Sequence, residues 1–155
     1  MALVNAWFHL LPKPTITKSQ LNSVKFIAHR GGVFDNKTLF ENTIPVFESA
    51  LHAGFWGIEF DIRWTKDNIP VVSHDISLKR VFKQDLNINQ MMYNDLKSHC
   101  PLVPRLEDVI SQFKGKLHFF IELKEDTHST YQLETLKTIL EPLTPQKEFH
   151  LLSLD

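Results

Sequence analysis

Ionisable side chains in this sequence sit where apolar runs end: His29 and Arg30, then Glu59 and Asp61, then His74, then Glu122 and Lys124. Glu59 and Asp61 are two residues apart, so on a strand they point to the same side, and two like charges held together require a cation or a proton between them. Glu122 adds a third carboxylate. An all-oxygen set suits Mg²⁺ or Ca²⁺ rather than zinc, which favours His and Cys. Two histidines from separate strands can flank a phosphate, one taking a proton from the nucleophile while the other gives one to the leaving oxygen. Arg30 would grip phosphate oxygens through its planar fork and Lys124 as a point charge. Taken singly, each of these residues has an ordinary structural reading, a salt-bridged carboxylate or a hydrogen-bonded histidine. Their joint placement at strand ends favours a site.

The elements that must position them alternate. Strands are expected over 24–28, 56–64, 69–73, 117–123 and from 149 to 154, and helices after an Asn42 or Thr43 cap, near 91–97, over 106–113 and over 131–140. Pro45 belongs in the first turn of the first of these helices and Gly54 at its end, with Val46, Phe47, Ala50 and Leu51 at helical spacing. In the second strand Ile58, Phe60, Ile62 and Trp64 face one way, and Glu59, Asp61 and Arg63 the other. Such alternation predicts an α/β fold with a parallel sheet, either an open doubly wound sheet or a closed (β/α)₈ barrel, and in both the carboxyl ends of the strands share a ligand-binding rim. Gly31 and Gly32 stand alone, so there is no dinucleotide fingerprint, no P-loop appears, and no internal repeat is evident.

The bulk numbers narrow the partners. The 155 residues are 43% hydrophobic and 23% charged, an ordinary globular composition. The 17 Lys and Arg nearly balance the 18 Asp and Glu, and no basic stripe interleaves with aromatics, which disfavours nucleic acid. Residues 2–11 are apolar but too short to span a bilayer and lack a signal peptide's basic start and cleavage site, so no stable membrane anchor and a cytoplasmic location are expected. Trp7, Phe8, Leu10 and Leu11 read as a lead-in that packs under the domain, followed by a stiff break at Pro12, Lys13 and Pro14. Cys100 cannot form an internal disulfide and reads as core. His9, His52, His99, His118, His128 and His150 read as structural, and Trp56 and Trp64 as core or rim packing.

Five runs occur in order: Ala28-His29-Arg30-Gly31-Gly32, Glu41-Asn42-Thr43, Ile58-Glu59-Phe60-Asp61, Ile69-Pro70-Val71-Val72-Ser73-His74-Asp75, and Ile121-Glu122-Leu123-Lys124. Leu78 with Arg80, and Val103-Pro104-Arg105-Leu106-Glu107, agree as intermediate landmarks. Together they resemble the glycerophosphodiester phosphodiesterase family from about residue 25 onward, leaving 1–24 as a lead-in and 25–155 as the barrel domain. The resemblance implies a (β/α)₈ barrel of the TIM type and metal-dependent hydrolysis of glycerophosphodiesters to glycerol 3-phosphate and an alcohol. By matching positions His29 and His74 become the acid/base pair, and Glu59, Asp61 and Glu122 the ligands of Mg²⁺ or Ca²⁺. Arg30 and Lys124 then contact phosphate, and Glu41 orients its neighbours at the rim. It further implies attack by a neighbouring substrate hydroxyl through a cyclic phosphate.

A full barrel of this kind has eight strands in about 250 residues, and only about the first five β/α units are expected here. Ser153-Leu154 would lie inside a fifth strand, the aromatic wall carried on later strands is absent, and 75–101 leaves room for only a loop and a short helix. An incomplete barrel exposes strand edges, which fits self-association or a partner supplying the missing half. Two other readings stand beside the enzyme: a catalytically inactive remnant or interaction module, and a related barrel phospholipase of the sphingomyelinase D type. The His29-Arg30-Gly31-Gly32 and Glu41-Asn42-Thr43 runs favour the glycerophosphodiesterase.

Overall fold

A computed structural model describes residues 17–32, 39–125 and 129–152. The expected lead-in around Trp7 to Leu11, His9, His128 and the Ser153-Leu154 end of the last strand lie outside the described residues. Helix α1 (Lys18–Ser23) precedes β1 (Ile27–His29), α2 (Ile44–His52) and β2 (Gly57–Trp64). The hairpin strand β3 (Pro70–Val72) leads into α3 (Lys79–Phe82), a 3₁₀ turn (Ile88–Gln90), α4 (Tyr93–His99) and α5 (Leu106–Phe113). Strand β4 (His118–Leu123), α6 (Thr130–Leu140) and β5 (Phe149–Leu152) complete the order.

The sheet runs β1-β2-β4-β5, all parallel, with Ala28 opposite Ile58, Asp61 opposite Glu122 and Phe120 opposite His150. Strand alternation divides it into two faces. Ile58, Phe60 and Ile62 of β2, with Phe119 and Ile121 of β4, are all fully buried and pack with Val46 and Phe47 of α2, Leu106, Val109 and Phe113 of α5, and Leu136 and Leu140 of α6. Phe47 meets Phe113 edge-on at 6.0 Å between ring centres. The opposite face carries Glu59, Asp61, Arg63 and Glu122 toward the carboxyl ends and His118 near the amino ends. A smaller core of Val71, Leu78, Ile88, Leu96, Cys100 and Val103 lies under the β3–α5 segment, so the single thiol is core as expected.

Local chemistry sets the boundaries. Thr43 is the extended residue before α2, with Pro45 in its first turn, and Gly54 leaves the helix at φ +80°. At α6, Ser129 Oγ accepts from the Gln132 backbone N–H at 3.2 Å, while Gln132 Oε1 accepts from the Ser129 N–H at 2.9 Å, a reciprocal cap.

Three expectations are corrected. The first strand begins at Ile27, and Val24 and Phe26 before it are exposed. The segment after His74 holds α3 and a 3₁₀ turn as well as the expected helix, which runs Tyr93–His99. Strand β3 is antiparallel to β2, pairing Trp64 with Pro70 and Ile62 with Val72, so it is a hairpin return and not a parallel barrel strand. Among the described residues the sheet therefore holds four parallel strands.

Candidate active site

The hairpin explains how His74 reaches the rim. Strand β2 ascends past Glu59 and Asp61, turns at Thr65, and β3 descends until the Ser73 N–H donates to the Asp61 carbonyl at 2.9 Å. His74 thus arrives beside Asp61 by reversal rather than at the top of its own parallel strand. Thr65 builds the turn, its Oγ1 donating to Asp67 at 2.7 Å and accepting from the Ile69 N–H at 2.9 Å.

Glu59 and Asp61 on β2 and Glu122 on β4 offer carboxylate oxygens that all lie within 4.8 Å of one another. Asp61 is fully buried, and among the described residues its Oδ1 makes an ion pair rather than a well-formed hydrogen bond. The Lys124 ammonium faces that oxygen at 3.1 Å and also contacts Glu122 Oε1. Asp61 Oδ2 accepts from Asn42 Nδ2 at 3.0 Å and lies 3.5 Å from Arg30 Nε. A cluster of three carboxylates, each offering a hard oxygen, whose most buried member is neutralised, among the described residues, only by the Lys124 and Arg30 side chains and an amide, fits a divalent cation of the Mg²⁺ or Ca²⁺ kind.

Electrostatics separate the two β2 carboxylates. Burial pushes the Glu59 carboxyl above its usual range and the neighbouring Asp61 charge adds to this, against a 3.0 Å hydrogen bond from the Arg30 N–H. Burial also pushes Asp61 up, but the Asn42 amide and the Lys124 ammonium outweigh it and bring the group below its usual range. A carboxyl whose folded pKa lies above the unfolded value loses stability as pH rises through that interval, so at neutral pH ionised Glu59 is a net cost. Glu59→Gln should therefore raise Tm in EDTA at pH 7. Thermal unfolding in EDTA checks this, and a fall in Tm would contradict it.

Beyond the carboxylates, the rim is an ion-pair chain. His74 Nδ1 lies 2.6 Å from Asp75 Oδ1, and Arg80 Nε donates to Asp75 Oδ2 at 2.5 Å. The same guanidinium donates to both oxygens of Glu41, at 2.9 and 2.5 Å, and Glu41 Oε1 accepts from Arg30 Nη1 at 3.1 Å. His29 lies apart, 70% exposed, with Nε2 at 3.7 Å from Glu59 Oε2. Arg80 holds Glu41 below the usual carboxylate range, with Arg30 assisting. Burial raises Asp75, but hydrogen bonds from Arg80 and His74 outweigh it and leave the group depressed. Depressed carboxyls contribute stability that is present above their unfolded pKa and lost as pH falls through the folded one. The Tm difference between wild type and Arg80→Met should accordingly be largest near pH 7 and close below about pH 4, the ordinary carboxylate value. A difference that stays constant in a Tm series from pH 7 to 3 would sink this expectation.

Every expected site residue lies within the described structure, and seven of the eight are joined by direct contacts: His29, Arg30, Glu41, Glu59, Asp61, Glu122 and Lys124, with His74 linked to them through Asp75 and Arg80. Sequence reasoning missed Asn42, Asp75, Arg80 and Arg63. Asn42 was expected only as a helix cap, yet its positive φ of 59° and 3% exposure place its amide on Asp61. The histidines read as structural include His118 and His150, which do have a partner, each other, at 2.8 Å. They lie toward the amino ends of the strands, where Trp56 stacks on His118 at 4.2 Å, away from the rim.

Fold and site define part of a (β/α)₈ barrel whose polar rim, at the carboxyl ends of its parallel strands, gathers carboxylates, histidines and cations. Comparisons with known proteins agree. The model of the glycerophosphoryl diester phosphodiesterase family matches residues 29–147. Human lysophospholipase D GDPD1 is 40% identical over 121 residues, covering 76% of this chain and 38% of that protein. A glycerophosphodiester phosphodiesterase of Bacillus altitudinis is 33% identical over 111 residues, covering 64% of this chain and 44% of its own. Among solved structures, a glycerophosphodiester phosphodiesterase from Thermotoga maritima superposes with a TM-score of 0.70 at 30% identity, over 85% of this chain and 55% of that one. The chain belongs to the glycerophosphoryl diester phosphodiesterase family. It spans about two fifths of the length of the curated relatives it matches.

Proposed function

We propose that this rim hydrolyses glycerophosphodiesters to glycerol 3-phosphate and an alcohol. The observation that carries the reading is the three-carboxylate cluster of Glu59, Asp61 and Glu122 within 4.8 Å, bordered by His29, His74, Arg30 and Lys124. Those carboxylates would hold Mg²⁺ or Ca²⁺, which supplies Lewis-acid neutralisation of the phosphoryl oxygens. Arg30 and Lys124 bind the remaining anionic oxygens, Arg30 being oriented by Glu41.

Proton transfer falls to the histidines. The Asp75 carboxylate is ionised and can only accept, so the proton of neutral His74 sits on Nδ1 and its Nε2 lone pair is free to take a proton from the attacking hydroxyl. Exposed His29 then donates a proton to the oxygen that leaves as the P–O bond breaks; where the attacking group is a neighbouring substrate hydroxyl rather than water, the cyclic phosphate so formed is opened by water in a second step, with a proton returned to the ring oxygen that leaves.

A second substrate reading, a lysophospholipid, is favoured by the 40% identity to a lysophospholipase D and by the Phe40–Phe82 ring pair, 5.5 Å apart, beside Glu41 and Arg80. One experiment tests both. The purified chain is assayed with glycerophosphocholine and with lysophosphatidylcholine in Mg²⁺, Ca²⁺ or EDTA, alongside His29→Ala. Cation-dependent release of glycerol 3-phosphate, lost in the variant, is expected. Cleavage of the lysophospholipid alone would replace the first reading by the second, and no turnover of either by a folded, soluble sample would sink both.

A further inference from the structure

Arg63 shares the polar face of β2 with Glu59 and Asp61 but sits one step further along the strand, past the last pair with β4 and still paired with β3 through Val71. Strand β3 stops at Val72 and β4 at Leu123, so the backbone at His74 and at Lys124 has already left the sheet. Arg63 reaches both. Its Nε donates to the His74 carbonyl at 3.0 Å, and its Nη1 donates to the Lys124 carbonyl at 3.3 Å and lies 3.4 Å from Glu125 Oε1. The side chain is 19% exposed, and the Glu125 carboxylate offsets its charge.

We infer that Arg63 is a positioning residue: one guanidinium fixes the backbone from which the His74 imidazole and the Lys124 ammonium project, setting their separation across the rim. The inference rests on the roles given above to His74 and Lys124. The physical argument is the shape of the guanidinium. Its donors lie in one rigid plane and can serve two carbonyls in different directions at once, whereas an ammonium is a point charge on a flexible stem. Neutral carbonyls are the main acceptors, so charge alone does not replace this contact. The three carboxylates stand on paired strands and depend on ladder hydrogen bonds instead, which predicts that cation binding and acid/base geometry separate on mutation.

The test compares wild type, Arg63→Met and Arg63→Lys by three readouts: divalent-cation titration by calorimetry, the NMR signals of the His74 imidazole, and kcat and KM on glycerophosphocholine. Both variants should bind the cation as wild type does, shift the His74 signals, and lose kcat by about 10–100-fold with KM little changed, the scale of an ångström-level misplacement. Three results would overturn the inference: wild-type His74 signals and kcat in Arg63→Met, full restoration of kcat by Arg63→Lys, or loss of cation binding together with kcat, which would mark a general support of the fold. If the wild-type chain turns nothing over, the proposed function fails by itself, and the NMR signals still decide the positioning role, unchanged signals overturning it.

Discussion

Replacing His74 with alanine should lower the rate of phosphodiester hydrolysis by about 10²–10⁴-fold, the usual contribution of a positioned general base, while divalent-cation binding stays as in wild type. The separation follows from where the groups are anchored. Glu59, Asp61 and Glu122 stand on paired strands, whereas His74 lies just past β3 and enters the site through its side chain alone. Its Nδ1 is tied to Asp75, which is tied to Arg80, so the imidazole is held, and among the described residues its Nε2 makes no hydrogen bond. Removing it leaves the cluster intact and removes the proposed proton acceptor. Steady-state kinetics on His74→Ala, with calorimetric titration of the same sample, checks both halves. A rate within threefold of wild type would remove His74 from the chemistry.

The largest effect on stability is expected at Gly31. This residue adopts φ +86°, and a Cβ there would lie 2.4 Å from Val46 Cγ1 and 2.8 Å from Phe47 Cδ1, both on side chains sealed in the core. Gly31→Ala therefore combines left-handed backbone strain with overpacking, and should cost about 2–5 kcal/mol when the two ordinary ranges are added. Gly54 is the control. It has φ +80° with nothing among the described residues within 4 Å of a Cβ, so Gly54→Ala should show the backbone strain alone, about 1–2 kcal/mol. Equal losses of stability in the two variants by denaturant unfolding would mean that the contact with α2 does not constrain the His29–Gly32 turn.

Much of this architecture is legible in the sequence because strand alternation and helix punctuation are local. The run Gly57–Trp64 declares its two faces, and α5 falls where its apolar spacing puts it. The direction of β3 was also legible. Only residues 65–69 separate β2 from it, and a parallel connection needs a dozen or more residues, so the spacing demanded a hairpin. The apolar run before His74 looked like every other strand and masked that constraint. Asn42 was hidden differently, since an Asn before a helix reads as a cap, and nothing local reveals that Thr43 occupies that position while the Asn42 amide turns to Asp61.

Arg63 and Arg80 belong to a third kind. The acceptors of Arg63 are backbone carbonyls at His74 and Lys124, and a sequence shows side chains but not which carbonyls a fold leaves unpaired. Arg80 joins Asp75 to a glutamate 39 positions away, a pairing that exists only once the rim is assembled. The residues that do the proposed chemistry were therefore easier to read than those that hold them in place.

Calorimetric titration of Ca²⁺ and Mg²⁺ into the purified chain, wild type and Asp61→Asn, tests the central claim that the three carboxylates form a cation site. One ion per chain is predicted for wild type, with binding lost or strongly weakened in Asp61→Asn, because the buried Oδ1 is then a neutral amide atom. Binding of equal strength in both proteins, or none in a folded wild-type sample, would contradict it.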